Sequence, residues 1–322
     1  MNKKSKIALA LVAILLASVV FAPVPGNARW LRDLHDTAHG PIFGCVAVLL
    51  LILMRAQTRI NLPLWRQYGL AFAVAVALGF ATELIQGLTG RDATLSDAVR
   101  DALGALAFLG IFWAVDQRMG AVRSIGARWA VVLVSVGLLV AVTMPATHAV
   151  IAYGKRGQQF PVLADFSRKL DDYFLASSAS TRALEPLPAE WAVEAGERAL
   201  LVRLEEEPFA GLHFVEPYPD WTGYSALCLD LTNPGESELL LTLRVHDAMH
   251  NNLYTDRYNK AFVLPPRTRR VFKFPLAEIA SAPAGRQMDL RRIAQVILFR
   301  GDPSPARELY ISKMWLERSQ GE

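Results

Sequence analysis

The chain has 322 residues, of which 52% are hydrophobic and 20% charged, and its formal net charge is +4. Long apolar runs fill residues 1–150, whereas residues 151–322 have the mixed composition of a globular domain. We therefore predict two domains. Much of the basic excess lies in short segments between apolar runs, which is typical of cytoplasmic membrane loops and excludes nucleic acid as the implied partner.

Five apolar runs reach or approach the roughly 20 residues that a helix needs to cross a bilayer. They are residues 7–22, 40–54, 68–88, 98–115 and 129–148. Basic residues outnumber acidic ones at the N-terminus and in the second and fourth connections, whereas the other connections carry at least as many carboxylates as basic residues. Basic loops stay in the cytoplasm. The sequence thus predicts a membrane protein with a cytoplasmic N-terminus and a C-terminal half outside the cytoplasm.

An alternative interpretation makes residues 1–28 a signal peptide, because a Lys-rich start precedes an apolar core, Pro23 and small residues. It leaves four spans, and residues 151–322 are still outside the cytoplasm.

Strong polar residues lie where the third and fourth runs meet. Glu83 and Gln86 are three residues apart, and Asp97 and Asp101 are four apart, so each pair shares one helix face. A charge within a membrane costs about 2.5–3.5 kcal/mol near its centre, which favours a polar site over a simple loop. Ser96 is the predicted N-cap of the fourth helix. The predicted membrane site, on the outer side, comprises Asp36, His39, Glu83, Gln86, Arg91, Ser96, Asp97 and Asp101.

Two simpler roles stay open for part of this set. Asp97 can cap a helix and pair with Arg91, and Glu83 can bond a neighbouring helix. No spacing among these residues matches an established metal-ligand pattern, so we predict no metal and no cofactor.

A family resemblance rests on these positions. The run Glu83-x-x-Gln86-x-x-x-Gly90-Arg91-x-x-x-x-Ser96-Asp97-x-x-x-Asp101-x-x-Gly104, with Asp36-x-x-His39 before it, resembles the signature of the VanZ-like bacterial membrane proteins. The resemblance covers roughly residues 28–118, and it departs at Asp101, usually Asn, and at Thr37, usually Lys. The family is named for a protein that raises tolerance to teicoplanin. The resemblance implies a helical membrane module and no defined reaction.

Residues 151–190 are predicted to be a linker containing an amphipathic helix. Phe160, Leu163, Phe166, Leu170 and Phe174 recur there at helical spacing. The predicted domains are therefore a transmembrane bundle of four or five helices at 1–150, this linker, and a domain at 191–322.

Residues 191–322 have the period of two that is typical of strands. Strands are predicted at residues 200–205, 224–231, 239–246, 270–274, 294–300 and 308–317. Turn signals such as Asn233-Pro234-Gly235 and Pro265-Pro266 separate them. An antiparallel all-β sandwich of jelly-roll type is the predicted fold of this domain.

Two short motifs in this domain resemble galactose-binding-like sandwiches and carbohydrate-binding modules. Trp221-x-Gly223-Tyr224 leads into one strand, and Arg244-x-His246-Asp247 ends the next. Aromatic rings and planar hydrogen-bonding groups, which suit sugars, are dense after that motif. The predicted ligand-binding residues are Trp221, Tyr224, Arg244, His246, Asp247, His250, Asn251, Tyr254, Asp256, Arg257 and Asn259. The alternatives are that Trp221 is a core residue and that the Asp256-Arg257 segment is only a pinned loop.

The sequence favours a non-enzymatic protein, because both predicted sites lie on the outer side of the membrane. No nucleophile elbow, Walker or Rossmann pattern is visible. Its predicted partners are the lipid bilayer and an envelope or exported polysaccharide or lipid-linked headgroup. One alternative is an enzyme acting on a lipid-linked or cell-wall glycan at Asp36, His39, Glu83 and Asp97. Another is a scaffold whose sandwich docks a protein partner.

Overall fold

The computed structural model describes residues 3–21, 28–56, 62–89, 94–119, 124–167, 172–303 and 305–318. The chain divides into two compact units. The helical unit is Met1–Ile151 and the sandwich unit is Ala152–Glu322.

The helical unit is built from long apolar helices. They are α1 (Lys3–Phe21), α2 (Arg29–Ala56), α3 (Leu64–Leu88), α4 (Leu95–Val115) and α5 (Ile125–Gln159), the last of which continues into the sandwich unit, with a 3₁₀ turn at Gln117–Met119. Among the described residues, α2 to α5 are long and apolar enough to cross a membrane, whereas the apolar part of α1, Ser5–Phe21, is shorter. These helices indicate a membrane-associated protein.

Close approach of α2 and α4 organises the helical unit. A Cβ added to Gly104 of α4 would collide with the backbone of Gly40 in α2, so these two glycines allow the helices to touch. Apolar side chains of α2, α3 and α4 also pack together in one cluster, namely Ala47, Leu51, Ala71, Ala75, Ala105 and Leu109.

The sandwich unit consists of two antiparallel sheets. Its strands are β1 (Val162–Asp165), β2 (Leu175–Ser178), β3 (Ser180–Pro186), β4 (Arg198–Leu204), β5 (Gly211–Val215), β6 (Ala226–Asn233), β7 (Leu239–Asp247), β8 (Tyr258–Leu264), β9 (Thr268–Pro275), β10 (Ile293–Phe299) and β11 (Arg307–Glu317), with α6 at Leu276–Ser281. The six-stranded sheet has the order β3-β4-β11-β6-β9, with β1 also paired to β11. The five-stranded sheet has the order β2-β5-β10-β7-β8.

Alternating apolar residues of the two sheets form one core. Leu229 and Leu231 of β6 and Leu241 and Leu243 of β7 are fully buried there. The six predicted runs are all strands, and the predicted class, a helical membrane bundle plus an all-β sandwich, is confirmed. The period of two identified them because one face of each strand lies in the core.

The predicted amphipathic helix at residues 160–174 is wrong. Val162–Asp165 form β1, which pairs with β11, and the Phe166 amide donates to the Ser312 carbonyl oxygen at 3.0 Å. Phe166 is buried in the sandwich core. The apolar residues here have helical spacing, but β11 offers backbone hydrogen-bond partners to this segment. That tertiary pairing outweighs the local pattern. Leu170 lies outside the described residues.

Candidate functional site

Three helices bring four of the predicted membrane residues together. His39 comes from α2, Glu83 from α3, and Asp97 and Asp101 from α4. The His39 Nδ1 atom lies 3.2 Å from Asp101 Oδ1 and 3.9 Å from Glu83 Oε1. His39, Glu83 and Asp97 each offer one ligand atom, and these atoms lie within 4.8 Å of one another. We call His39, Glu83, Asp97 and Asp101 the buried polar cluster.

Glycines explain why these side chains meet. His39 precedes Gly40, and Asp101 lies three residues before Gly104, so the close crossing of α2 and α4 also aligns the two polar side chains. On α3, a Cβ added to Gly79 would lie 2.9 Å from Asp101 Oδ2. The absence of a side chain at Gly79 therefore leaves room for the carboxylate between the helices.

The start of α4 fixes the other two carboxylates. The Thr94 hydroxyl oxygen accepts from the Asp97 amide at 3.1 Å, so Thr94 is the N-cap and the predicted N-cap Ser96 is wrong. The sequence offers two hydroxyls here, and the helix begins one residue before Ser96, at Leu95. The Thr94 amide donates to Glu83 Oε2 at 2.9 Å. Arg100 donates to Asp97 one turn further on.

The remaining predicted membrane residues do not join the cluster directly. The Gln86 amide donates to the Val19 carbonyl oxygen of α1 at 3.0 Å, which is a contact between helices. Asp36 is partly exposed and lies 3.8 Å from Arg100. Arg91 lies outside the described residues.

Several atoms of the buried polar cluster lack partners. Among the residues that the structure describes, His39 Nε2, Glu83 Oε1 and Asp101 Oδ2 are buried and make no hydrogen bond. The exposed fraction is 1% for both His39 and Asp101. Burying polar or charged groups without partners is costly. The cluster is therefore suited to a cation or to a ligand that donates hydrogen bonds.

A second group of polar side chains lies on the five-stranded sheet, on the face opposite the core. Across the strands, His213 pairs with Ile297, Ile297 with Arg244, and Arg244 with Asn259. One step along, Gln295 pairs with His246. Side chains on one face of a sheet recur at every second residue. The outer polar face therefore comprises His213, Arg244, His246, Asn259 and Gln295, all half-buried.

The side chains of the outer polar face are ordered by mutual contacts. Gln295 Nε2 lies 3.3 Å from His213 Nδ1, and Arg244 Nε donates to Asn259 Oδ1 at 3.3 Å. The His246 ring stacks on His250 with centroids 4.5 Å apart. Polar hydrogen-bonding groups with fixed directions are what a binding surface requires for specificity.

His246 is neutral on this face at physiological pH. Burial lowers its pKa to about 4, and the charges of His250 and Arg244 also lower this pKa. Burial also lowers the pKa of His213, with a further contribution from the Arg244 charge. Within the described ranges, His246 Nδ1 is buried without a hydrogen-bond partner. A neutral imidazole can donate from one nitrogen and accept at the other.

Tyr254 and Arg257 border this face. Tyr254 is 70% exposed, and the Arg257 guanidinium lies 5.0 Å from its ring centroid. Together with Asn259 and Lys260 they line an open depression of about 410 Å³. The Arg257 Nε atom is buried and unbonded in the described part of the chain.

Other predicted outer residues have structural roles. Arg286 donates to both oxygens of Asp247, at 2.6 and 2.9 Å, and to Asp256 Oδ1. This guanidinium and the Asn251 amide hold the pKa of Asp256 down at about 2. His250 Nδ1 lies 2.8 Å from the Asp256 carbonyl oxygen. The segment after β7 is therefore a pinned loop, as the alternative interpretation has it.

Two aromatic residues do not reach the outer polar face. Trp221 is fully buried in the core, so its prediction as a ligand contact is wrong. Its amide donates to the Leu290 carbonyl oxygen and its indole N–H to the Tyr218 carbonyl oxygen, and these bonds hold it inside. Tyr224 lies two residues before β6, a strand of the six-stranded sheet, and packs against Phe160 with ring centroids 5.2 Å apart.

No family model and no curated protein sequence matches the chain. The resemblance of residues 28–118 to VanZ-like proteins therefore stays a prediction.

Solved structures similar to this chain include an exo-beta-agarase, with 15% identity and a TM-score of 0.41 over 50% of this chain and 25% of that one. They also include a family 11 carbohydrate-binding module from Clostridium thermocellum in complex with a beta-1,3-1,4-mixed-linked tetrasaccharide. The module is 10% identical, with a TM-score of 0.38 over 49% of this chain and 95% of that one. This chain spans a quarter of the agarase's length. None of these similarities identifies a ligand for this chain.

Sequence reasoning missed His213 and Gln295. They lie on β5 and β10, far in sequence from the Arg244 motif, and only the strand register brings them beside it. The available signal for this face was His213, a polar residue at the centre of the short apolar run of β5. It becomes informative only when the order of the strands in the sheet is known.

Proposed function

We propose that this protein is an integral protein of the bacterial inner membrane whose periplasmic sandwich unit binds an envelope or exported polysaccharide. The outer polar face carries this proposal. It presents planar donors and acceptors in register, and Tyr254 exposes a ring beside them. Sugars are bound by such groups together with an aromatic face for their C–H bonds.

The charges beside this face favour an acidic polysaccharide. Arg244 and Arg257 are cationic, while His246 is neutral. Asp247 at the end of β7 and Asp256 in the pinned loop are already paired with Arg286. A guanidinium forms paired hydrogen bonds with a carboxylate, so a uronate-containing glycan is the expected ligand class.

Binding of the full-length protein in detergent to immobilised neutral and acidic polysaccharides tests this function. We expect retention on the acidic set and at least a tenfold loss of affinity in Arg244→Ala. Arg203→Ala is a matched control, because Arg203 is an exposed residue of β4 in the other sheet. Absence of glycan binding, or equal losses in both variants, contradicts the proposal. Cross-linking to one protein partner without glycan affinity favours the scaffold alternative.

For the helical unit we propose a VanZ-like module that holds a polar, lipid-linked headgroup at the predicted membrane site. The convergence of three helices on the buried polar cluster supports this assignment. The proposed topology has a cytoplasmic N-terminus and a periplasmic sandwich unit. Labelling of Arg203→Cys by a membrane-impermeant reagent in intact spheroplasts tests the placement of the sandwich unit. Labelling only after lysis contradicts this topology.

An enzyme is the second candidate function, and the unpartnered Glu83 Oε1 is the observation that favours it. A buried carboxylate beside an imidazole is a common acid–base pair. Turnover of a lipid-linked glycan by the purified protein, lost in Glu83→Gln, is the expected result for an enzyme.

A further inference from the structure

We propose that His39, Glu83 and Asp97 form a binding site for a divalent transition-metal ion, with Asp101 positioning the histidine. The three residues lie on three different helices and offer ligand atoms within 4.8 Å of one another. The set combines one imidazole nitrogen with carboxylate oxygens. Such mixed donors suit ions such as Zn²⁺ and Fe²⁺, whereas Ca²⁺ and Mg²⁺ prefer oxygen alone.

The two nitrogens of His39 have different surroundings. Nδ1 lies 3.2 Å from Asp101 Oδ1, within hydrogen-bonding distance, and 3.9 Å from Glu83 Oε1. Nε2 is buried and has no partner in the described part of the structure. A metal-binding histidine usually donates one ring N–H to a carboxylate and gives the other nitrogen to the metal. Asp101 is thus a positioning residue.

Charge balance points to a cation. Glu83, Asp97 and Asp101 supply three carboxylates in a buried site, and Arg100 is the described cation that pairs with one of them, Asp97. The other two carboxylates each retain an oxygen without a hydrogen bond among the described residues. A bound dication compensates the two remaining negative charges, which would otherwise be costly to bury.

The ligand atoms must approach one another to hold an ion. Zinc bonds to nitrogen and oxygen are about 2.0–2.2 Å long, so the ligands of one tetrahedral ion are about 3.3–3.6 Å apart. The present limit of 4.8 Å therefore calls for an approach of at most about 1.5 Å. Because each ligand comes from a different helix, the ion would clamp α2, α3 and α4 together.

Zn²⁺ titration of the untagged, chelator-treated full-length protein in detergent tests the site. We expect one Zn²⁺ per chain at micromolar affinity or better, and X-ray absorption showing nitrogen and oxygen ligands with one imidazole. Glu83→Gln keeps the shape of the side chain and should weaken binding at least tenfold. Asp101→Asn should weaken it about 10- to 100-fold, as loss of a positioning carboxylate does elsewhere.

His35→Ala is the matched control. His35 lies next to the site, with its ring 5.3 Å from that of His39, but it is not one of the three ligands. We expect its Zn²⁺ affinity to equal that of the wild type. Wild-type protein that binds no stoichiometric Zn²⁺, or an imidazole signal that disappears in His35→Ala but persists in His39→Ala, overturns the proposal. Because glycan binding uses other residues, its failure would leave this result unaffected.

Discussion

Replacement of Trp221 separates a core role from a ligand-binding role. Its side chain is fully buried, and its indole N–H donates to the Tyr218 carbonyl oxygen at 2.7 Å. Trp221→Ala should cost about 3–5 kcal/mol, because a buried Trp-to-Ala change loses burial and leaves a cavity. That is a large share of the roughly 5–15 kcal/mol by which a domain is stable. For a unit of this size it corresponds to a fall in Tm of about 6–20 °C.

The assay is thermal sensitivity of the sandwich unit to protease, measured on the full-length protein in detergent. Trp221→Phe keeps most of the ring volume and loses the indole hydrogen bond, so we expect a cost of about 1 kcal/mol and unchanged glycan affinity. Tyr254→Ala is the complementary variant. Tyr254 is largely exposed, so its loss should change stability by less than about 0.5 kcal/mol and weaken glycan binding.

One combination of results would refute the core role of Trp221. If Trp221→Phe retained the wild-type Tm and lost glycan binding as severely as Tyr254→Ala, then Trp221 would be a ligand contact. Its assignment to the core would then be wrong.

Three further predictions concern packing and pH. Gly104→Leu should abolish a monodisperse folded protein in size-exclusion chromatography, because its side chain would strike the backbone of α2, whereas Gly137→Leu, where a Cβ meets no atom within 4 Å, should not. The pKa of His246 falls from 6.5 to about 4 on folding, so its contribution to stability is complete above pH 6.5 and is lost as the pH falls towards 4. Titration should therefore find no step in glycan affinity from this residue between pH 6 and 8. The pKa of Asp256 falls from 3.8 to about 2 beside Arg286, so the stability lost in Arg286→Met should be full above pH 4 and shrink as the pH falls to 2 in acid denaturation.

Local patterns in the sequence were sufficient for the class of each unit. An apolar run of membrane length and an apolar period of two each describe one element and its immediate surroundings, and both patterns survive in α2 to α5 and in β4, β6, β7, β9, β10 and β11. The pattern failed at residues 160–174. There the chain pairs with β11, about 150 residues further along, and that partner has no signature in the local spacing.

The buried polar cluster, too, was determined partly by local sequence and partly by tertiary structure. The sequence alone marked Glu83, Asp97 and Asp101 as costly polar residues within or beside apolar runs, because the free energy of burying charge depends on the residue and its immediate environment. Tertiary structure decided that His39 meets Asp101 across the contact between Gly40 and Gly104. Helix crossing points depend on packing between distant segments, so no single segment contains them.

Strand register decided the outer polar face. The sequence determined that Arg244 and His246 share one side of their strand, since alternation is local. Only the register placed His213 and Gln295 beside them. A shift of one residue would exchange the two faces of a strand, and the energy that prevents it comes from core packing of both sheets together.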